Sequence, residues 1–149
     1  MIVPKSDTIV IEPGEEILAT ARASFRGAAG TSARSTFALG SGRMRMRAFD
    51  EWFDAARATG FPESPPDMYL VATSRRILVG KPRFWGGAPS RYMDELDYDK
   101  IAQVVAMRHG LVTGVAFAFQ FGGIVEIEAV RGRALRHLAH VVTGQLANR

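Results

Sequence analysis

The chain contains no cysteine, which excludes a disulfide framework, a thiolate zinc site and a thiol nucleophile. It also lacks any window approaching the ~18 consecutive apolar residues that a membrane-spanning helix needs. Lysine is scarce: 3 lysines stand beside 16 arginines, against 15 acids, for a net charge of +4. So lopsided an arginine preference follows genome composition as readily as ligand choice, and mild basicity permits an anionic partner without requiring one. Catalytic signatures are missing as well. There is no Gly-x-Ser-x-Gly elbow, no His-Glu-x-x-His and no phosphate loop ending in Gly-Lys-Ser or Gly-Lys-Thr, so neither a catalytic residue nor a cofactor is expected. The segment from Met1 to Pro13 is interrupted by Lys5, Asp7 and Glu12, which breaks the apolar stretch of a signal peptide and makes the cytoplasm the expected location.

What is present suits one domain. The chain has 149 residues, 47% apolar and 23% charged, enough to bury a core without staples. From Glu15 to Arg26 the residues Ile17, Ala19, Ala21, Ala23 and Phe25 alternate with polar ones, the period of a half-buried strand. Gly27 to Gly42 is rich in Gly, Ala, Ser and Thr and reads as a loop, with a short strand near Ser35 to Leu39. Arg43, Arg45 and Arg47 then alternate with Met44 and Met46. Phe49, Trp52, Phe53 and Ala56 recur at helical spacing, which predicts a short helix from Phe49 to Thr59. Gly60 suits a left-handed cap there, and Pro62, Pro65 and Pro66 prevent continuation.

From Met68 onward the pattern is β. Strands are expected at Met68 to Thr73, Arg76 to Gly80, Arg91 to Leu96, Ile101 to His109, Val112 to Phe121 and Ile124 to Ala129, with breaks short enough for antiparallel hairpins. Val115, Phe117, Phe119 and Phe121 would share one face, and Val125 and Ile127 would face away from Glu126 and Glu128. The last segment, Arg131 to Leu146, carries Leu135, Leu138, Ala139, Val142 and Leu146 on one helical stripe, with Arg133, Arg136, His137 and His140 opposite. The expected class is mainly β (α+β).

Three stretches carry a resemblance: Tyr69 to Gly80 with its Thr73-Ser74-Arg75-Arg76 turn, Glu95 to Val104 with its polar bend at Asp97 to Lys100, and Val125 to Ala129 leading into the final helix. Together they look like the bacterial pleckstrin-homology-like domains related to GRAM domains, over roughly Glu15 to Leu146. That resemblance implies a bent antiparallel seven-stranded barrel with its C-terminal helix plugging one open end, used to bind lipids, peptides or proteins, and no catalytic residues. Residues 27–67, between the first and second core strands, form an insert beyond the minimal family pattern.

Two groups of residues are candidates for ligand contact. Arg43, Arg45 and Arg47, if extended, would project from one face toward phosphate oxygens, as basic residues near the first inter-strand loop do in lipid-binding members of the wider fold; they also suit the wet face of an edge strand. Phe84 and Trp85 stand between turns in a Gly- and Pro-rich hairpin tip beside Arg83, placed to enter a membrane interface or anchor a protein, or else to fold back and be buried. His137 and His140 have a spacing that suits one metal, and Asp94, Glu95, Asp97 and Asp99 form an acidic cluster; for both, a solvated face is the stronger reading. Nucleic acid ranks low as a partner, because only Met and Ala interleave with the arginine row. The expected function is therefore a non-catalytic binding module for a protein partner or an anionic membrane surface, cytoplasmic and peripheral at the membrane in the latter case. Its rivals are a homo-oligomer, assembled through open sheet edges or through the aromatic helix, and a small enzyme with an unrecognised site.

Overall fold

The computed structural model describes residues 9–25, 50–52, 54–62, 67–81, 92 and 94–149. The fold is mainly β. Its strands are β1 (Ile17–Phe25), β2 (Asp67–Thr73), β3 (Arg76–Gly80), β4 (Asp94–Asp97), β5 (Ile101–His109), β6 (Val112–Phe119) and β7 (Ile124–Val130), followed by a C-terminal helix, Arg133–Ala147. All neighbours are antiparallel, in the order β4-β3-β2-β1-β7-β6-β5. β1 is the hinge of this sheet. Most of its length pairs with β2, whereas Ser24 and Phe25 pair with Glu128 and Ile127 of β7.

The expected bent, seven-stranded antiparallel architecture takes the form of an open sheet, with β4 and β5 as its edges. The chain passes between these strands through a single 3-10 turn, Tyr98–Lys100. Tyr98 is only 1% exposed there, and its hydroxyl donates to the Thr73 carbonyl at 2.6 Å. The turn is thus anchored to the β2–β3 corner, and each edge strand leaves it to pair on one side only.

Two helical elements cover the sheet's inner face. The C-terminal helix buries Leu135, Leu138, Ala139 and Val142, and packs Leu146 at the margin, while Arg133, Arg136, His137 and His140 are exposed. Residues 50–52 and 54–59 form a short insert helix, closed by Gly60 at φ 79° with its N–H on the Ala56 carbonyl at 2.9 Å. Trp52, Ala56 and the following Phe61 lie in the same core as Phe25, Phe117 and Phe119. Ring centroids step from Phe25 to Trp52 at 6.2 Å, to Phe61 at 6.1 Å and on to Phe117 at 5.7 Å, within the range of favourable aromatic pairs. The Trp52 and Ala56 face therefore covers its own core, not a neighbouring copy.

A smaller cluster on the outer face joins Val71, Leu78 and Tyr92 with Ile9, Ile11 and Tyr69. The N-terminal segment crosses there, and Ile9 and Tyr92 exchange backbone hydrogen bonds at 2.8 and 2.9 Å. This cover explains why β2 and β3 read as nearly unbroken apolar runs: both of their faces are buried.

Beneath the segment lies a polar knot. The Glu15 carboxylate, its side chain fully buried, accepts from Arg76 Nε at 3.0 Å and Nη2 at 2.9 Å and from the Thr73 hydroxyl at 2.6 Å. Arg76 also reaches Glu95 and, at 3.2 Å, the Val10 carbonyl. The Thr73 hydroxyl in turn accepts from the N–H groups of Arg75 and Arg76 at 3.1 Å each, which sets the β2–β3 turn.

Two strand ends differ from expectation. β6 stops at Phe119, and Phe121 is 99% exposed. Gly122 and Gly123, at φ 97° and 91°, turn the chain before the alternation can continue. Ile17 is exposed because the β1–β2 register shifts between Ile17 and Ala19, so a bulge breaks the period there.

Candidate functional site

The sequence's ligand candidates, Arg43, Arg45, Arg47, Arg83, Phe84 and Trp85, lie outside the described residues. His137 and His140 are exposed, and no group of three or more His, Asp and Glu placed to hold a metal ion occurs among the described residues. Within the acidic cluster, Glu95 is tied to Arg76, and Asp99 to Arg149 at 2.7 Å. That cluster is a solvated, cross-linked face.

A different set of residues converges where the β5–β6 hairpin meets the start of the C-terminal helix. Gly110, at φ 64°, lets the hairpin turn within two residues and places Leu111 at its tip. The Leu111 carbonyl accepts from the Arg131 N–H at 2.8 Å, which docks the β7–helix connection against the tip. Arg108, Gly110, Leu111, Thr113 and the run Arg131 to Arg133 with Arg136 then line one recess of about 260 Å³.

Four arginines line the recess, and none of them makes an ion pair among the described residues. The helix begins at Gly132 with no side-chain cap and no acidic residue in its first turn. Cations at this end oppose the helix dipole, whose positive pole favours anions. Arg131 adds a further cost, since it holds φ 51°, a left-handed conformation that a side chain disfavours. Unpaired arginines, an uncapped helix start and a strained backbone share one rim, a combination better suited to a bound anion than to stability alone. Leu111 and Val130, 70% and 54% exposed, flank it with apolar surface.

Gly132 is required by packing. A Cβ on it would lie 2.7 Å from Thr113 Cβ and 3.1 Å from the Ala129 carbonyl oxygen. We expect Gly132→Ala to cost about 1–3 kcal/mol, the usual range for overpacking a site that cannot move aside. Urea denaturation checks this, and an unchanged midpoint would show that the junction yields.

Compared with known proteins, the chain matches no family model. No curated protein is significantly similar to it. Sequence reasoning passed over the recess because Arg108 closes a strand whereas Arg131, Arg133 and Arg136 flank or sit on a helix, and only the docking of Arg131 on Leu111 brings the two segments together. The available signal was an arginine-rich first helical turn without an acid.

Proposed function

We propose that the chain is a non-catalytic binding module of the pleckstrin-homology-like type, which attaches peripherally to an anionic membrane surface from the cytoplasm through the Arg108, Arg131, Arg133 and Arg136 recess. The observation that carries this reading is the gathering of four guanidiniums without ion-pair partners among the described residues beside the exposed Leu111 and Val130. Basic side chains near an anionic leaflet contribute about 1 kcal/mol each, and an apolar tip among them suits the boundary where head groups give way to hydrocarbon. No helix among the described residues is long and apolar enough to cross a membrane. The strand order, with the first and last strands adjacent and a helix following, supports the fold part of the reading.

Co-sedimentation with phosphatidylglycerol-containing and neutral vesicles across a salt series tests it. The wild type should bind only the anionic vesicles, and more weakly as salt rises. An R131G/R133Q/R136Q variant should lose affinity at least about tenfold, by the same arithmetic of roughly 1 kcal/mol per charge. Glycine relieves the left-handed strain at position 131 and glutamine keeps helix propensity, so the variant's fold should survive. If binding instead fails only when Arg43, Arg45 and Arg47 are all changed to Ser, the recess is not the contact.

A further inference from the structure

The recess contains one feature that surface charge alone does not explain. Thr113 on β6 is 6% exposed and lines the recess, yet its hydroxyl has no hydrogen-bond partner among the described residues. Without an internal partner, that hydroxyl can donate one hydrogen bond to a ligand in the recess. The Thr113 Cβ packs against Gly132, beside a helix start that has no side-chain cap. The Thr113 hydroxyl and the four arginines that line the recess, at the positive end of a helix whose Arg133 N–H is already given to the Arg131 carbonyl, form a donor set for a compact anion with several acceptor oxygens.

We propose that this recess is a discrete site for one phosphate monoester group, held by Thr113 and the Gly132 helix start and enclosed by Arg108, Arg131, Arg133 and Arg136. The inference rests on the anionic-surface reading but narrows it. Diffuse attraction to a membrane counts charge and ignores its chemistry. A site with fixed donors prefers the monoester, which offers three terminal oxygens and up to two negative charges, over a phosphodiester or a serine carboxylate. The group's source is either a lipid, as in phosphatidic acid, or a soluble phosphate monoester.

Vesicles containing phosphatidic acid or phosphatidylglycerol, matched in measured surface charge, separate site from surface. Glycerol 3-phosphate and inorganic phosphate, followed by calorimetry, test the soluble source. The wild type should bind the phosphatidic acid vesicles about tenfold or more tightly than the phosphatidylglycerol vesicles, the scale of a hydrogen bond to a charged group. Thr113→Val should erase that preference. Because the hydroxyl makes no internal hydrogen bond, this variant should fold as well as the wild type, which a denaturation curve checks. Equal binding to both vesicle types, unaltered by Thr113→Val, would overturn the phosphate site and leave the anionic-surface reading intact. Soluble phosphate monoester binding that needs Thr113, with no vesicle binding at all, would remove the membrane reading and keep the site. Loss of binding to every ligand in the triple arginine variant, with the Thr113 preference intact in the wild type, supports both.

Discussion

Arg76→Ala is expected to destabilise the fold by about 3–5 kcal/mol, the cost of removing one partner from a buried ion pair. The Glu15 side chain has no exposed area and the Arg76 side chain only 12%. Two nitrogens of one guanidinium meet both Glu15 oxygens, the bidentate geometry that a lysine could not reproduce. Without Arg76 the carboxylate keeps the Thr73 hydroxyl and the Glu12 N–H at 3.1 Å, but no positive charge. The damage should spread, because the same guanidinium holds the Val10 carbonyl and Glu95 and so fastens the N-terminal segment over Val71 and Leu78.

Acidity should show the same linkage. Arg76, with the Thr73 hydroxyl helping, holds the Glu15 carboxyl down to about 2 from a usual 4.5, against the opposing effect of burial. A depressed carboxylate stabilises the fold fully above its unfolded value and loses that contribution as pH falls through the folded one. Stability should therefore decline from about pH 4.5 toward pH 2, by on the order of 3 kcal/mol from this group. Urea midpoints for wild type and Arg76→Ala between pH 2 and pH 7 check both statements. Convergence of the two proteins at the acid end is expected, and a constant gap across the range would sink the assignment.

The sequence carried the hairpin order well because local signals agreed there. β3 and β5 fall at the expected residues, and the C-terminal stripe of Leu135, Leu138, Ala139 and Val142 is buried as its period requires. Misreadings arose where a backbone feature interrupts the period. The Gly122 and Gly123 turn removed Phe121 from β6, and a bulge turned Ile17 outward. Glu15 opens the alternating stretch that becomes β1, and nothing in that alternation marks it as a core residue. Its burial depends on Arg76, a residue on the far side of the β2–β3 turn, and no local pattern encodes such a meeting. The arginine recess was hidden for the same reason: polar residues on a helix face read as solvent contact until a hairpin tip is docked beside them. Periodicity reports which face is wet, and the tertiary fold alone decides which wet faces meet.

The insert helix supplies the other large expected effect. A helix of about ten residues is marginal by itself, since nucleation costs more than so few hydrogen bonds return. Residues 50–52 and 54–59 hold their form through Trp52 and Ala56, which are 5% and 0% exposed, and through Phe61 just beyond the Gly60 cap. Trp52 stands between Phe25 of β1 and Phe61, and Phe61 in turn contacts Phe117 and Phe119 of β6. Deleting the indole would open a cavity where β1, β6 and the insert meet, at a site hemmed by large rings that cannot collapse into it. Trp52→Ala should cost about 3–5 kcal/mol, the range for a large buried aromatic. Amide exchange separates this from a surface appendage. If the insert belongs to the global core, the amides that close the helix, such as the Gly60 N–H on the Ala56 carbonyl, should exchange near the rate set by global unfolding in the wild type. They should be released selectively in Trp52→Ala. A cost below about 1 kcal/mol, with those amides already exchanging freely in the wild type, would mean that the sheet and C-terminal helix stand without the insert.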